Sequence, residues 1–166
     1  ANRSNSTDEV WIHYSGHGTF VEDKNGDEID GQDECIIPSD YDVNGVITDD
    51  LIYMILNKMK GTVLVTMDCC HSGSICDLPY AFYCDERNRI TRVRENRFEM
   101  NNKNMYMLSG CRDNQTSDDV TYSHTSEGAF TRALIDALES RQYNVKIMEL
   151  YLLILDYLRI RGHEQR

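Results

Sequence analysis

Nowhere does the 166-residue chain approach the roughly 18 consecutive apolar residues that a membrane-spanning helix needs. That excludes a helical membrane anchor within this sequence. The first residues, Ala1 to Glu9, are polar and lack a signal-peptide pattern, so the expectation is a cytoplasmic protein with no membrane partner. Basic residues are scarce, 17 against 28 acidic ones, for a net charge of −11. Phosphate backbones are held by Lys and Arg, so nucleic acid is excluded as a main partner. An acidic surface suits metal ions or basic peptide segments, though for the charge alone plain solubility is the commoner reason. No pair among Cys35, Cys69, Cys70, Cys76, Cys84 and Cys111 has the Cys-x-x-Cys spacing of a zinc knuckle or thioredoxin site. Nor do they form a regular disulfide framework, so reduced thiols are expected, one of them available as a nucleophile. Internal repeats are absent, and the length suits one domain with a real core.

Against these absences, the chain alternates strand-like and helix-like segments. Val10 to Tyr14 reads as a strand ending at Ser15, Gly16 and Gly18. Residues 22–34 read as a Gly- and Asp-rich loop, followed by a short apolar stretch, Cys35 to Ile37. Thr48 is a good N-cap for a helix from about Asp49 to Lys60, with Asp49 and Asp50 at its positive end and Gly61 as its stop. Thr62 to Met67 is β-branched and apolar throughout, as a strand buried on both faces should be. Residues 83–104 are polar and basic and predict a surface loop, Met105 to Ser109 another buried strand. Glu127 to Ser140 and Val145 to Arg161 have helical periodicity. This order predicts an α/β fold with a mostly parallel sheet covered on both sides. It divides as 1–82, the basic loop 83–104, and 105–166.

In such sheets functional groups gather at the carboxyl ends of strands. His17 follows the first strand and Cys70 follows the central one. A thiol becomes a strong nucleophile once an imidazole takes its proton. The glycines flanking His17 allow close approach of substrate, and the amides of Gly18 and Cys70 are candidates to receive an oxyanion. Cys69, beside Cys70, is expected to point into the core. A Cys and a His in one sequence are more often structural than catalytic.

The surrounding residues are more specific. His13-Tyr14-Ser15-Gly16-His17-Gly18 and Asp68-Cys69-Cys70-His71-Ser72-Gly73 resemble the histidine and cysteine motifs of type I metacaspases. Asp33-Glu34-Cys35-Ile36-Ile37-Pro38, Gly45 to Leu51, Asp77-Leu78-Pro79-Tyr80, Ser109 to Ser117 and Gly128-Ala129-Phe130-Thr131 match in order as well. The resemblance implies a caspase-like three-layer sandwich and a cysteine endopeptidase in which His17 and Cys70 are catalytic. It implies that Ser15 and Asp68 belong to an acidic pocket for arginine or lysine, since a carboxylate pairs well with either. It implies a calcium activator bound by Asp33, Asp49, Asp50 and Asp77, whose hard oxygens suit that ion; taken alone, the four also read as caps and solvated acids. Protein or peptide substrates with Arg or Lys before the scissile bond follow, as does a monomeric state.

Three further expectations attach to the resemblance. The segment from Arg87 to Lys103 offers preferred residues for self-cleavage, and is equally readable as a solvated linker. Residues 23–34 mimic an EF-hand loop by chance, because Glu28 stands where that loop needs Gly. Relatives carry an earlier part of the domain and a closing segment, so the fold is expected to be incomplete at both ends. An inactive, calcium-responsive scaffold of the same fold is the alternative function.

Overall fold

The computed structural model describes residues 4–23, 31–85, 87–97, 99–110 and 128–160. The Ser109–Ser117 motif beyond Gly110, most of the EF-hand-like stretch and the chain after Ile160 lie outside them. The centre is a parallel sheet of β1 (Glu9–Ser15), β5 (Thr62–Asp68) and β8 (Met105–Ser109), in the order β1-β5-β8. The central strand β5 carries side chains into both layers, which is why Val63, Leu64, Val65 and Met67 are apolar on both its faces.

On one face Val63, Val65, Met67 and Met105 pack with Leu56 of α2 (Asp49–Leu56) and with Ile75 and Cys76. On the other, Leu64 and Leu108 meet Phe130, Leu134, Leu150 and Ile154 from α3 (Ala129–Ser140) and α4 (Ile147–Ile160). The result is the three-layer α/β arrangement anticipated for an apolar central strand. Among the described residues no helix is long and apolar enough to cross a membrane.

Thr66 is the one hydroxyl fully enclosed in β5, at 0 % exposure. Its Oγ1 donates to the Ile12 carbonyl (3.3 Å), accepts from Trp11 Nε1 (2.9 Å) and lies 2.8 Å from His13 Nδ1. A buried hydroxyl is tolerated when bonded in this way. The same contact accounts for His13, which faces Thr66 across the strand pair.

Four expectations need correction. First, the loop expected over 22–34 is strand at its described ends: β2 (Gly18–Glu22) pairs antiparallel with β3 (Gln32–Ile36), which pairs with β4 (Ile47–Thr48). Gln32, Asp33 and Glu34 look turn-like in sequence, but the ladder to β2 holds them extended. Second, α2 ends at Leu56, short of Lys60. Asn57 Oδ1 accepts from the Asn101 amide (2.7 Å) and the Lys60 amide donates to Ser4 Oγ (2.9 Å), which draws the chain off the helical path. Third, Thr48 stands at the N-cap as expected but makes no side-chain cap bond; Asp49 instead accepts the Asp50 amide (2.7 Å) and the Glu34 amide (2.8 Å). Fourth, the segment 83–104 contains most of a hairpin, β6 (Tyr80–Cys84) with β7 (Ile90–Arg94). Its outer strand is exposed throughout. A four-residue helix α1 (Tyr41–Asn44) completes the elements.

Phe130 is among the largest fully buried side chains and lies against Gly110 at the end of β8. Phe130→Ala is expected to cost roughly 3–5 kcal/mol through lost burial and the cavity left behind, read as a shift of the urea midpoint with unchanged slope.

Candidate active site

The parallel register brings the carboxyl ends of β1 and β5 level, with Ser15 opposite Asp68. The contact continues one step further, where the Gly16 amide donates to the Asp68 carbonyl (3.2 Å). Beyond it the chain turns through His17 into β2. Two bonds fix that turn at the His17 carbonyl, from the Ile37 amide (3.0 Å) and from Tyr14 Oη (2.9 Å). Tyr14 Oη also lies 3.1 Å from the Ile37 carbonyl, so one phenolic proton is shared between two acceptors. Burial, with the Cys69 thiol nearby, pushes the Tyr14 phenol up and keeps it the neutral donor. Its ring folds so closely under the turn that a Cβ on Gly16 would fall 2.6 Å from Oη.

The decisive contact is between the two loops themselves. Gly18 lies directly on the Cys70 carbonyl, so close that any Cβ there would collide with it, and 3.4 Å from the Cys69 sulfur. His17 and Cys70 therefore leave adjoining strands on loops whose backbones touch, with the His17 ring exposed and Cys70 half-buried. Gly18 and Cys70, the two expected oxyanion donors, are the residues in contact.

The thiols differ sharply in access. Cys35, Cys69, Cys76 and Cys84 are buried, and among the described residues Cys70 is the one cysteine that is not. Burial pushes the Cys69 thiol up to about 11, an effect that the neighbouring Ser72 hydroxyl offsets only in part. Burial raises Cys76 further, and Cys35 is raised by burial and then by Asp49, Asp33 and Glu34. A strand end explains the split: β5 aims Cys69 inward with Met67, while Cys70 stands on the turn that follows.

Asp68 sits at the amino end of α3. Its Oδ2 accepts the Thr131 amide (2.8 Å) and the Thr131 hydroxyl, and Gly128 packs so tightly on the carboxylate that no side chain would fit there. A helix amino terminus favours such a charge. Oδ1 makes no hydrogen bond among the described residues, and the exposed Ser15 is the register partner of Asp68 on β1. Sequence reading assigned no part to Thr131, Gly128 or Tyr14. The first two are separated from Asp68 by some sixty residues, and only the packing of α3 joins them; Tyr14 sat inside the histidine motif, where its alternation with His13 was the available signal.

The four aspartates separate. Asp33 and Asp49 are buried with Glu34 around Cys35, Asp50 is exposed on the first turn of α2, and Asp77 accepts from Asn96 Nδ2 (2.7 Å). Their oxygens suit a hard cation in kind. Among the described residues, however, no three His, Cys, Asp or Glu side chains are grouped to hold an ion.

The sequence profile described as "Metacaspase, peptidase C14 domain" matches residues 1–79, the segment that holds His17 and Cys70. Metacaspase-5 of Trypanosoma cruzi (strain CL Brener) is 35% identical over 95% of this chain. The chain belongs to the metacaspase family. It is also 34% identical, again over 95% of its length, to "Inactive metacaspase-4" of Trypanosoma brucei brucei. It spans 38% and 48% of the length of these two relatives. Among solved structures, protein GSU0716 from Geobacter sulfurreducens superposes with a TM-score of 0.58 at 25% identity, covering 91% of this chain and 62% of that one. The histidine and cysteine motifs that carried the resemblance both lie inside the matched segment.

In the native protein iodoacetamide is expected to label Cys70 and spare Cys69 at neutral pH, by peptide mass spectrometry. Folding favours the neutral Cys69 thiol, so its contribution to stability is whole below the ordinary value of 9.0 and lost as pH rises to about 11. Denaturation midpoints should fall across that alkaline window, less steeply in Cys69→Ala; an equal fall in both would refute the assignment.

Proposed function

We propose that this metacaspase chain carries the catalytic centre of a cysteine endopeptidase that cleaves after arginine or lysine, with Cys70 as nucleophile and His17 as base. The single observation that carries the reading is the contact of Gly18 with the Cys70 carbonyl, which sets the histidine loop against the one reachable thiol among the described residues. In this mechanism His17 removes the thiol proton of Cys70, and the thiolate attacks the carbonyl carbon of the scissile bond. The amides of Gly18 and Cys70 receive the oxyanion. His17 returns the proton to the departing amine, leaving a thioester. Water, deprotonated by His17, then releases the acid and restores the thiol.

Asp68 accounts for the substrate class. Thr131 holds one carboxylate oxygen, leaving the other to receive a guanidinium or ammonium group, with Ser15 as the register partner of Asp68 on β1. The same charge repels an aspartate side chain. Peptides and proteins with Arg or Lys before the scissile bond are the partners, and the enzyme acts as a monomer. The described cysteines are all free, which suits a reducing cytoplasm. Self-cleavage falls more readily at Arg87 in the hairpin turn than at Arg92 or Arg94, which lie in the paired β7 with guanidinium groups over Tyr80 at 4.5 and 5.9 Å.

Calcium activation belongs to this proposal, with Asp33, Asp49, Asp50 and Asp77 as the residues that would hold the ion. Its support is the burial of Asp33 and Asp49 together, which a divalent cation would offset. No step of the hydrolysis runs through it. The second reading, an inactive scaffold, is favoured by the relative named inactive.

Matched fluorogenic peptides ending in Arg, Lys or Asp separate these readings. Release from the Arg and Lys substrates, lost in Cys70→Ala and kept in Cys69→Ala, is the expected result, with a calcium requirement that Asp49→Ala abolishes. Asp68→Asn should lower kcat/KM on the Arg peptide by roughly ten- to a hundredfold, the scale of a lost charged hydrogen bond. Silence from a folded sample on all three peptides would favour the scaffold, and cleavage after Asp would overturn the role of Asp68.

A further inference from the structure

Beyond the nucleophile, the turn that carries it holds an unusual pair of hydroxyls. Ser72 is completely buried, at 0 % exposure. Its Oγ donates to the Cys69 carbonyl (2.8 Å) and lies 2.7 Å from Ser109 Oγ. One hydroxyl has one proton, so with that proton on Cys69 the Ser109 hydroxyl must donate to Ser72. Ser109 is the last residue of β8, the strand on the far side of β5 from β1. The cysteine turn is thereby tied to the neighbouring strand β8 by Ser72 and Ser109, and it meets the start of β2, just past the histidine loop, where Gly18 lies on the Cys70 carbonyl.

What these ties restrain is a strained backbone. His71, between Cys70 and Ser72, has φ of 51°, in the left-handed region that few residues other than glycine enter, His among the more frequent of them. The edge of Phe20 in β2 meets its ring at 5.4 Å between centroids. Such a conformation persists where surrounding contacts over-determine it, and these cluster at active sites. An alanine at 72 would fill nearly the same space without a polar group to bury. A buried serine whose bonds all serve this turn is therefore explained by the turn's geometry better than by packing.

We infer that Ser72 and Ser109 are positioning residues: together they hold the strained turn that keeps Cys69 inside and presents Cys70 to substrate. The inference rests on Cys70 being the nucleophile proposed above. The two serines touch no reacting atom. They act through the backbone of Cys69, and losing the bond lets the turn relax, so that Cys70 drifts and Cys69 gains access.

The test compares wild type, Ser72→Ala, Ser109→Ala and the double variant, with Cys70→Ala as reference. Three readouts are taken on the same samples: kcat and KM on the Arg peptide, the thermal midpoint, and iodoacetamide labelling of Cys69 and Cys70 across pH. Ser72→Ala is expected to lower kcat roughly 10- to 100-fold, as a small misplacement of a reacting group does, with KM within about twofold of wild type. Cys69, spared in wild type, should become labelled alongside Cys70. Ser109→Ala should show the same pattern more weakly, and the double variant should match Ser72→Ala because the pair acts as a unit. Ser109→Ala leaves the Ser72 bond to Cys69 in place, so it answers the question if Ser72→Ala does not fold. Unchanged kcat and unchanged Cys69 labelling in a folded variant would overturn the inference. So would a loss of activity that only follows the folded fraction. Hydrolysis surviving in Cys70→Ala would instead sink the nucleophile assignment, while the labelling ratio still reads the turn.

Discussion

The parallel pairing of β1 with β5, in a register that ends with Ser15 opposite Asp68, is the constraint on which the rest of this structure depends. Side chains alternate across a strand, so a slip of one residue would turn Trp11 and His13 toward the core and Val10, Ile12 and Tyr14 away from it. In the observed register Val10, Ile12 and Tyr14 join the core beneath the sheet. His13 and Trp11 meet Thr66 on the other face. Both strands then end level, and the histidine and cysteine loops leave side by side. The Gly16 bond to Asp68 and the contact of Gly18 with Cys70 follow from that alignment.

Polar groups at this end of the sheet are each fastened by specific partners. Asp68 is held by Thr131 and Ser72 by Cys69 and Ser109, while Tyr14 supports the His17 carbonyl. In a low-dielectric setting every such bond is stronger, and each one left unmade costs more. The site is therefore built from backbone carbonyls and amides clamped by side chains, which leaves His17 and Cys70 as the less enclosed groups of their loops. The acidic residues near Cys35 follow another pattern. Asp33 and Asp49 are buried among like charges, Asp49 takes two backbone amides, and Asp77 is fastened elsewhere by Asn96.

Much of the fold was legible because local pattern and burial agree. Val63, Leu64, Val65 and Met67 are apolar since both faces of β5 are covered, and the helical periods of α3 and α4 match the faces they bury. The misreadings share one cause. Gln32, Asp33 and Glu34 are extended because β2 and β4 pair with them, and residues 80–94 form a hairpin whose outer strand has no buried face to betray it. Helix α2 stops early because Asn101 and Ser4 bond the residues beyond it. In each case the partner lies far away in the chain or offers no periodic signal.

The sequence by itself determined the strand order's raw material, the two loops that bear His17 and Cys70, and the metacaspase motifs around them, since spacing and residue type are local properties. Tertiary structure alone decided which thiol is reachable, what holds Asp68, and how the cysteine turn is tied. Those depend on Cys69 being sealed beneath β5, on α3 returning Thr131 to a strand sixty residues earlier, and on β8 setting Ser109 against Ser72. Burial and hydrogen-bond partners are set by packing between distant segments, and no local pattern encodes them.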